Sequence, residues 1–209
     1  MLLWTLSACV LSYSGAVVLE QPFERVEVRV TRGTVEIRAS EDGQSTVAFE
    51  FTGVGQAEVT PIVIGGTLLL PDPCGGIELC SGSLVVTVPP EANIDAEIGE
   101  GTLRTFAMRG NVLADVGGRT EILRHTGRVV EVTARAGGRL DLAFDAAPER
   151  VDALLSSGPL VARVPPGAYA LDLAATGTVT IDPEIEVDPA SASALLLTAE
   201  AGSITIEAN

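Results

Sequence analysis

The sequence predicts an all-β fold, a single-domain β-solenoid or parallel β-helix-like stack with a repeat of about 19 residues. Three observations lead there. Short stretches alternate apolar and polar side chains, a glycine recurs two residues before an aliphatic, and residues 82–103 reappear at 158–179. The 209 residues suit one domain. They are 46% hydrophobic but only 4% aromatic, so the core must be built from Val, Ile, Leu and Ala.

In chain order, the first segment reads as an export signal. Residues 2–13, LLWTLSACVLSY, are uncharged and mostly apolar, and Ser14-Gly15-Ala16 offers small residues for cleavage. The stretch is shorter than the ~20 residues a membrane-spanning helix needs. It lacks a basic start, which leaves open that the true start lies upstream of Met1. Two processing routes stay open. Leu6-Ser7-Ala8-Cys9 resembles a bacterial lipobox, in which Cys9 would carry a lipid that tethers the chain to a membrane. Alternatively the chain is cut after Ala16 and secreted. The expected division is 1–16 export segment and 17–209 β-domain.

Strands are expected next. Val26–Val30 and Val35–Ala39 alternate on either side of a Gly33-Thr34 turn. Cys74 and Cys80 flank a glycine-containing loop and are expected to form a disulfide, implying an oxidising compartment. The same alternation marks Leu84–Val88, Ile94–Ile98, Val130–Ala134, Leu140–Phe144, Ala168–Ala174, Val179–Ile181 and Ile204–Ile206. No segment has a convincing helical period; Ala190–Thr198 and Ala146–Leu155 are the nearest.

Turns punctuate these strands regularly. Gly82, Gly101, Gly110, Gly127, Gly138, Gly158, Gly177 and Gly202 each precede an aliphatic by two residues, and Gly118 follows the same spacing. The unit is about 9–10 residues, often doubled to about 19, which fits one strand and one tight turn. GSLVVTVPPEANIDAEIGEGTL (82–103) and GPLVARVPPGAYALDLAATGTV (158–179) align with Gly82 on Gly158, Pro89 on Pro165 and Gly101 on Gly177. Val-Pro-Pro ends a strand in both copies, because proline cannot donate to a ladder. A β-sandwich is the alternative architecture; it does not call for such a translational repeat.

The repeating Gly-x-[VIL]-x-[VIL] unit, the Leu84–Pro90 and Leu160–Pro166 breaks and the export segment together resemble the bacterial "putative adhesin" β-solenoid domains, related to the head-GIN type. The resemblance spans about residues 24–207 and rests on structural motifs. It implies an extracytoplasmic domain in the cell envelope, brings no catalytic residues, and points weakly to surface interaction.

Chemistry-bearing candidates are few. The net charge of −15 argues against nucleic acid, and all 13 cations are arginine. His125, the one histidine, sits in Leu123–Gly127 and reads as a turn residue. Phosphate-loop, dinucleotide, zinc-protease and EF-hand motifs are missing from the sequence, so no cofactor is expected. Asp115, Glu121, Glu131 and Asp141 alternate outward on successive units beside Arg119, Arg124, Arg128, Arg135 and Arg139. As a stacked ladder these arginines would form a binding face for an anionic polymer, or the acids a polysaccharide-cleaving site. Asp182–Pro189 is an acidic loop or edge that bears on Ca²⁺ only through its carboxylates.

The expected protein is a non-enzymatic, adhesin-like module of the bacterial cell envelope, lipid-anchored or secreted. Its partner would be an envelope polysaccharide or a protein. The alternatives are a structural or regulatory envelope lipoprotein acting through protein contacts, and a polysaccharide-acting β-helix enzyme. Exposed strand edges at the ends of a solenoid also predict end-to-end self-association.

Overall fold

The computed structural model describes residues 11–53, 60–72, 80–135 and 138–209. Among these there is no helix; every regular element is a strand. In chain order they are β1 (Leu11–Leu19), β2 (Arg25–Ala39), β3 (Ser45–Gly53), β4 (Ile62–Ile64), β5 (Thr67–Leu70), β6 (Ser81–Val88), β7 (Asn93–Phe106), β8 (Val112–Val116) and β9 (Thr120–His125). They continue with β10 (Val129–Ala134), β11 (Leu140–Phe144), β12 (Arg150–Ser157), β13 (Leu160–Val164), β14 (Gly167–Ala175), β15 (Val179–Ile181), β16 (Ile185–Val187), β17 (Ala194–Ala201) and β18 (Ile204–Ala208). The two segments with the nearest approach to a helical pattern run from loops into β12 and β17, where runs such as Leu195-Leu196-Leu197 put alternate side chains inside.

Parallel pairing arranges the strands in two rows. The first row runs β5, the start of β2, the start of β7, β8, β10, β12, β17, β14. The second runs β6, the end of β2, the end of β7, β9, β11, β13, β18, β15. Antiparallel pairs occur at the amino-terminal end, where β3 lies between β6 and β1, and β4 pairs with β5. The parallel registers argue against a Greek-key sandwich, whose neighbours are antiparallel.

Registers align like with like. In the first row Val26, Ile94, Val112, Val130, Val151, Leu195 and Leu171 form one inward line. In the second, Leu84, Val35, Leu103, Thr120, Leu140, Leu160, Ile204 and Val179 form another. One buried cluster draws on both rows. Each fully buried Val, Leu or Ile contributes about 1.5–3 kcal/mol. The core is mainly aliphatic, although Phe23, Phe51, Phe144 and Tyr169 are also buried in it, which the composition did not lead one to expect.

The glycine spacing has a steric cause. A Cβ built on Gly101 would lie 1.7 Å from the Gly33 carbonyl oxygen, one on Gly118 2.0 Å from that of Gly101, one on Gly158 1.9 Å from that of Gly138, and one on Gly202 1.8 Å from that of Gly158. Gly82, Gly33, Gly101, Gly118, Gly138, Gly158, Gly202 and Gly177 therefore form one column down a corner between the rows, in the strand order of the second row. Gly33 (φ 143°) and Gly101 (φ 152°) also need a backbone conformation that side chains disfavour. There the chain does not break into two strands, as alternation alone suggests. β2 and β7 run through the corner and serve both rows.

Two further features depart from the sequence expectation. Leu11–Leu19, which overlaps the expected 1–16 export segment by six residues, pairs along its whole length with Ser45–Gly53 as the outer strand of the second row. The stacking order also departs from chain order: β17 and β18 lie between β12–β13 and β14–β15. The chain thus leaves a gap two strands wide and its last strands fill it. Cys9 and Cys74 lie outside the described residues; Cys80 is buried.

Candidate functional site: two outward faces

Each row has an outward face, and the rows separate the four predicted carboxylates. Adjacent units of about 10 residues fall in opposite rows; only every second unit stacks. Asp115 and Glu131 therefore belong to the first row, on β8 and β10, and Glu121 and Asp141 to the second, on β9 and β11. The single ladder expected from sequence is two half-ladders on different faces.

On the second row, Glu121 and Asp141 are register neighbours, and Arg104 precedes Glu121 on β7. Parallel neighbours stand about 4.8 Å apart, so two carboxylates sit side by side. Arginines cover them. Arg104 Nε lies 2.6 Å from Glu121 Oε2, Arg139 Nε 2.6 Å from Asp141 Oδ2, and Arg119 bridges both acids. Arg163 approaches Asp141 at 3.9 Å and pairs with Glu207 at 2.8 Å. The acid side chains keep only 9% and 8% exposure beneath this cover. The hydrogen bond from Arg139 to Asp141, with the charge of that acid, holds the guanidinium above its usual pKa.

The remaining arginines of the expected belt are also paired. Arg124 bonds Asp145 at 3.1 Å and lies 5.7 Å from the centre of the Phe106 ring. Arg128 Nε bonds Glu149 at 2.7 Å, and Arg135 pairs with Asp115. None of the five presents an unpaired charge. They are spread over strand ends and turns of both rows and do not form one stripe.

The first row holds an open groove. Asp95, Leu113, Glu131 and Asp152 follow one another in register along its outer surface. Two adjoining depressions, about 270 and 350 Å³, meet there and share Asp95, Leu113 and Glu131. Leu113 is 46% exposed at the centre. Asn93 and Asn111 border one side, their side-chain carbonyls accepting from the Asn111 and Val129 amides. Arg25 and Arg29 border the groove and both pair with Asp95. Burial pushes the Asp95 carboxyl up, but its hydrogen bonds to Arg29 and Arg25 and their charges outweigh this and hold it below its ordinary value. No ion pair to Glu131 occurs among the described residues. Sequence reading picked out Asp115 and Glu131 here but missed Asp95, Leu113 and the asparagines; the step of about 18 between Asn93 and Asn111 was the available signal.

His125 is not a turn residue on the surface. It is fully buried at the end of β9, its ring edge-on to Phe144 at 5.8 Å. The cause is a bulge. Arg124 adopts φ 54°, and Phe144 pairs with His125 where uninterrupted register would give Arg124. The extra residue turns Arg124 out and His125 in. Ala107 at φ 57° does the same one layer earlier and buries Met108. Both His125 ring nitrogens, and the hydroxyls of Thr105 and Thr120, lack hydrogen-bond partners among the described residues. Burial lowers the His125 pKa to about 4.

No family model matches the sequence, and no curated protein matches it. Among solved structures, a "putative cell adhesion protein" from Clostridium sporogenes is 13% identical, with 95% of this chain and 100% of that chain covered and a TM-score of 0.47. A "putative adhesin" from Bacteroides fragilis is 13% identical over 97% of this chain and 98% of that one, TM-score 0.45. A "putative lipid binding protein" from Parabacteroides distasonis is 16% identical over 93% and 96%, TM-score 0.36.

Proposed function

We propose that the chain is a non-catalytic, adhesin-like module of the bacterial cell envelope, a β-solenoid that binds an extended polymer along the outer face of its first row. The groove at Asp95–Leu113–Glu131 carries this reading: an exposed Leu113 between two carboxylates at strand spacing, edged by side-chain amides and guanidinium groups. Such a surface offers an apolar contact and hydrogen bonds to a chain of hydroxyls. Affinity electrophoresis of the full chain through gels containing envelope polysaccharide tests it. Retardation that disappears in Leu113→Glu and persists in an Arg119→Ser/Arg128→Ser/Arg139→Ser variant supports the groove. The reverse pattern moves the site to the arginines, and release of shortened polymer overturns the non-catalytic reading.

Envelope anchoring through Cys9 belongs to the same proposal, together with a Cys74–Cys80 disulfide. The pairing of Leu11–Leu19 with β3 favours the lipid over cleavage after Ala16, since a lipid on Cys9 leaves β1 whole and cleavage removes most of it. Incorporation of a labelled fatty acid that is lost in Cys9→Ala supports the anchor; an amino terminus at Val17 on the exported protein overturns it.

A further inference from the structure

We infer that the far end of the stack, the free edges of β14 and β15, takes up an added β-strand from a basic partner polypeptide. This does not rest on the polymer groove. Among the described residues, Leu171–Ala175 has a strand neighbour on one side only, β17; β16 covers just Gly167–Tyr169. Val179–Ile181 likewise pairs with β18 alone. The inward side chains of this layer, Leu171, Leu173, Ala175 and Ile181, are half-buried against the core, and Val179 is 42% exposed. Natural sheets blunt such edges with lysine, proline or a covering loop. Between Leu171 and Ile181 there is neither lysine nor proline.

Charge selects the occupant. No arginine follows Arg163. Asp172 on β14, Glu184 beside β16 and Glu186 on β16 are exposed, and none forms an ion pair among the described residues. Elsewhere the strand acids are largely matched by arginine; at this end they are not. A second copy meeting through the same end would bring like charges together. A partner strand alternating apolar and basic residues would continue the core with one face and neutralise the acids with the other, as in strand addition to a sheet edge.

The test uses the full chain and a labelled ten-residue peptide of alternating valine and arginine, read by fluorescence anisotropy. Saturable binding is expected, weakened at least tenfold in Asp172→Asn/Glu186→Gln and by high salt. It should be abolished when alternate peptide amides are N-methylated on the pairing side. Equal binding by a valine–glutamate peptide overturns the charge argument, and equal binding by the N-methylated peptide overturns strand addition. Sedimentation of the free chain as a dimer that the peptide does not disperse puts a second copy on the edge and overturns the basic partner.

Discussion

Residues 82–103 and 158–179 share a sequence pattern and occupy very different surroundings. The first copy lies within the stack: Ile94, Ile98 and Leu103 are buried between β2 on one side and β8 and β9 on the other. The second copy starts inside the stack with β13 but ends in the last layer, β14 and β15, and its Val179, aligned with Leu103, is 42% exposed. The copies also differ in phase. After Pro-Pro the first copy points Ala92 and Ile94 inward, whereas the second points Tyr169 and Leu171 inward, one residue out of step with the alignment. A one-residue slip exchanges the faces of a strand, so Asp95 faces out while its aligned residue, Leu171, faces in. The shorter turn before Val179 restores the phase. The motif specifies turns and strand ends; position in the stack specifies burial.

Four measurements break or sharpen this comparison. Gly101→Ala should cost about 4 kcal/mol or more, from overpacking added to strain, because its Cβ would lie 1.7 Å from the Gly33 oxygen at φ 152°. Gly177→Ala, whose Cβ would lie 2.6 Å from the Gly202 oxygen without positive φ, should cost about half that. Equal losses by urea denaturation would mean that the end layer is packed as tightly as the middle. Next, Leu103→Ala should cost about 3 kcal/mol as a core truncation. Val179→Ala should cost less than about 1 kcal/mol, since its side chain is already wet.

Protonation reaches the interior through His125. Its folded pKa, about 4, lies below the ordinary 6.5, so the unfolded chain takes the proton first as pH falls. Stability is therefore full above about pH 6.5 and declines towards pH 4, by about 2 kcal/mol between pH 7 and pH 5 at 1.36 kcal/mol per unit. His125→Gln should flatten that segment of the stability–pH curve; an unchanged slope would show that other groups cause it. The smallest effect is dynamic. Amide exchange at Leu171–Ala175 and Val179–Ile181 should run ahead of exchange in β7, by an amount set by local opening. Matching protection would mean that the end layer opens only with the whole molecule.

Much of this architecture is legible in the sequence. Val26–Val30, Val130–Ala134 and Ile204–Ile206 alternate cleanly because one face of each strand meets the aliphatic column. The glycines appear at the right spacing, although their reason, carbonyls of the preceding layer pressing on each Cα, is a contact between distant residues. Three things were hidden. His125 defeated the parity rule through a bulge that leaves no mark in alternation. Glu121 and Glu131 looked like stacked neighbours, yet successive units face opposite ways. The placing of β17 and β18 ahead of β14 and β15 was unreadable, because all of these strands carry the same apolar alternation and any would fit either slot.

That interleaving ties completion of the stack to the strands β17 and β18. Residues 167–181 precede 194–208 in the chain, yet they reach their final neighbours only once those later strands lie between them and β12 and β13. A nascent chain in that order holds an unfilled slot with two apolar edges. A polypeptide stopped at residue 193 would lack the layer that joins its last strands to the rest. The native order is thus closed from within, by strands that come later in the chain than the layer they hold in place.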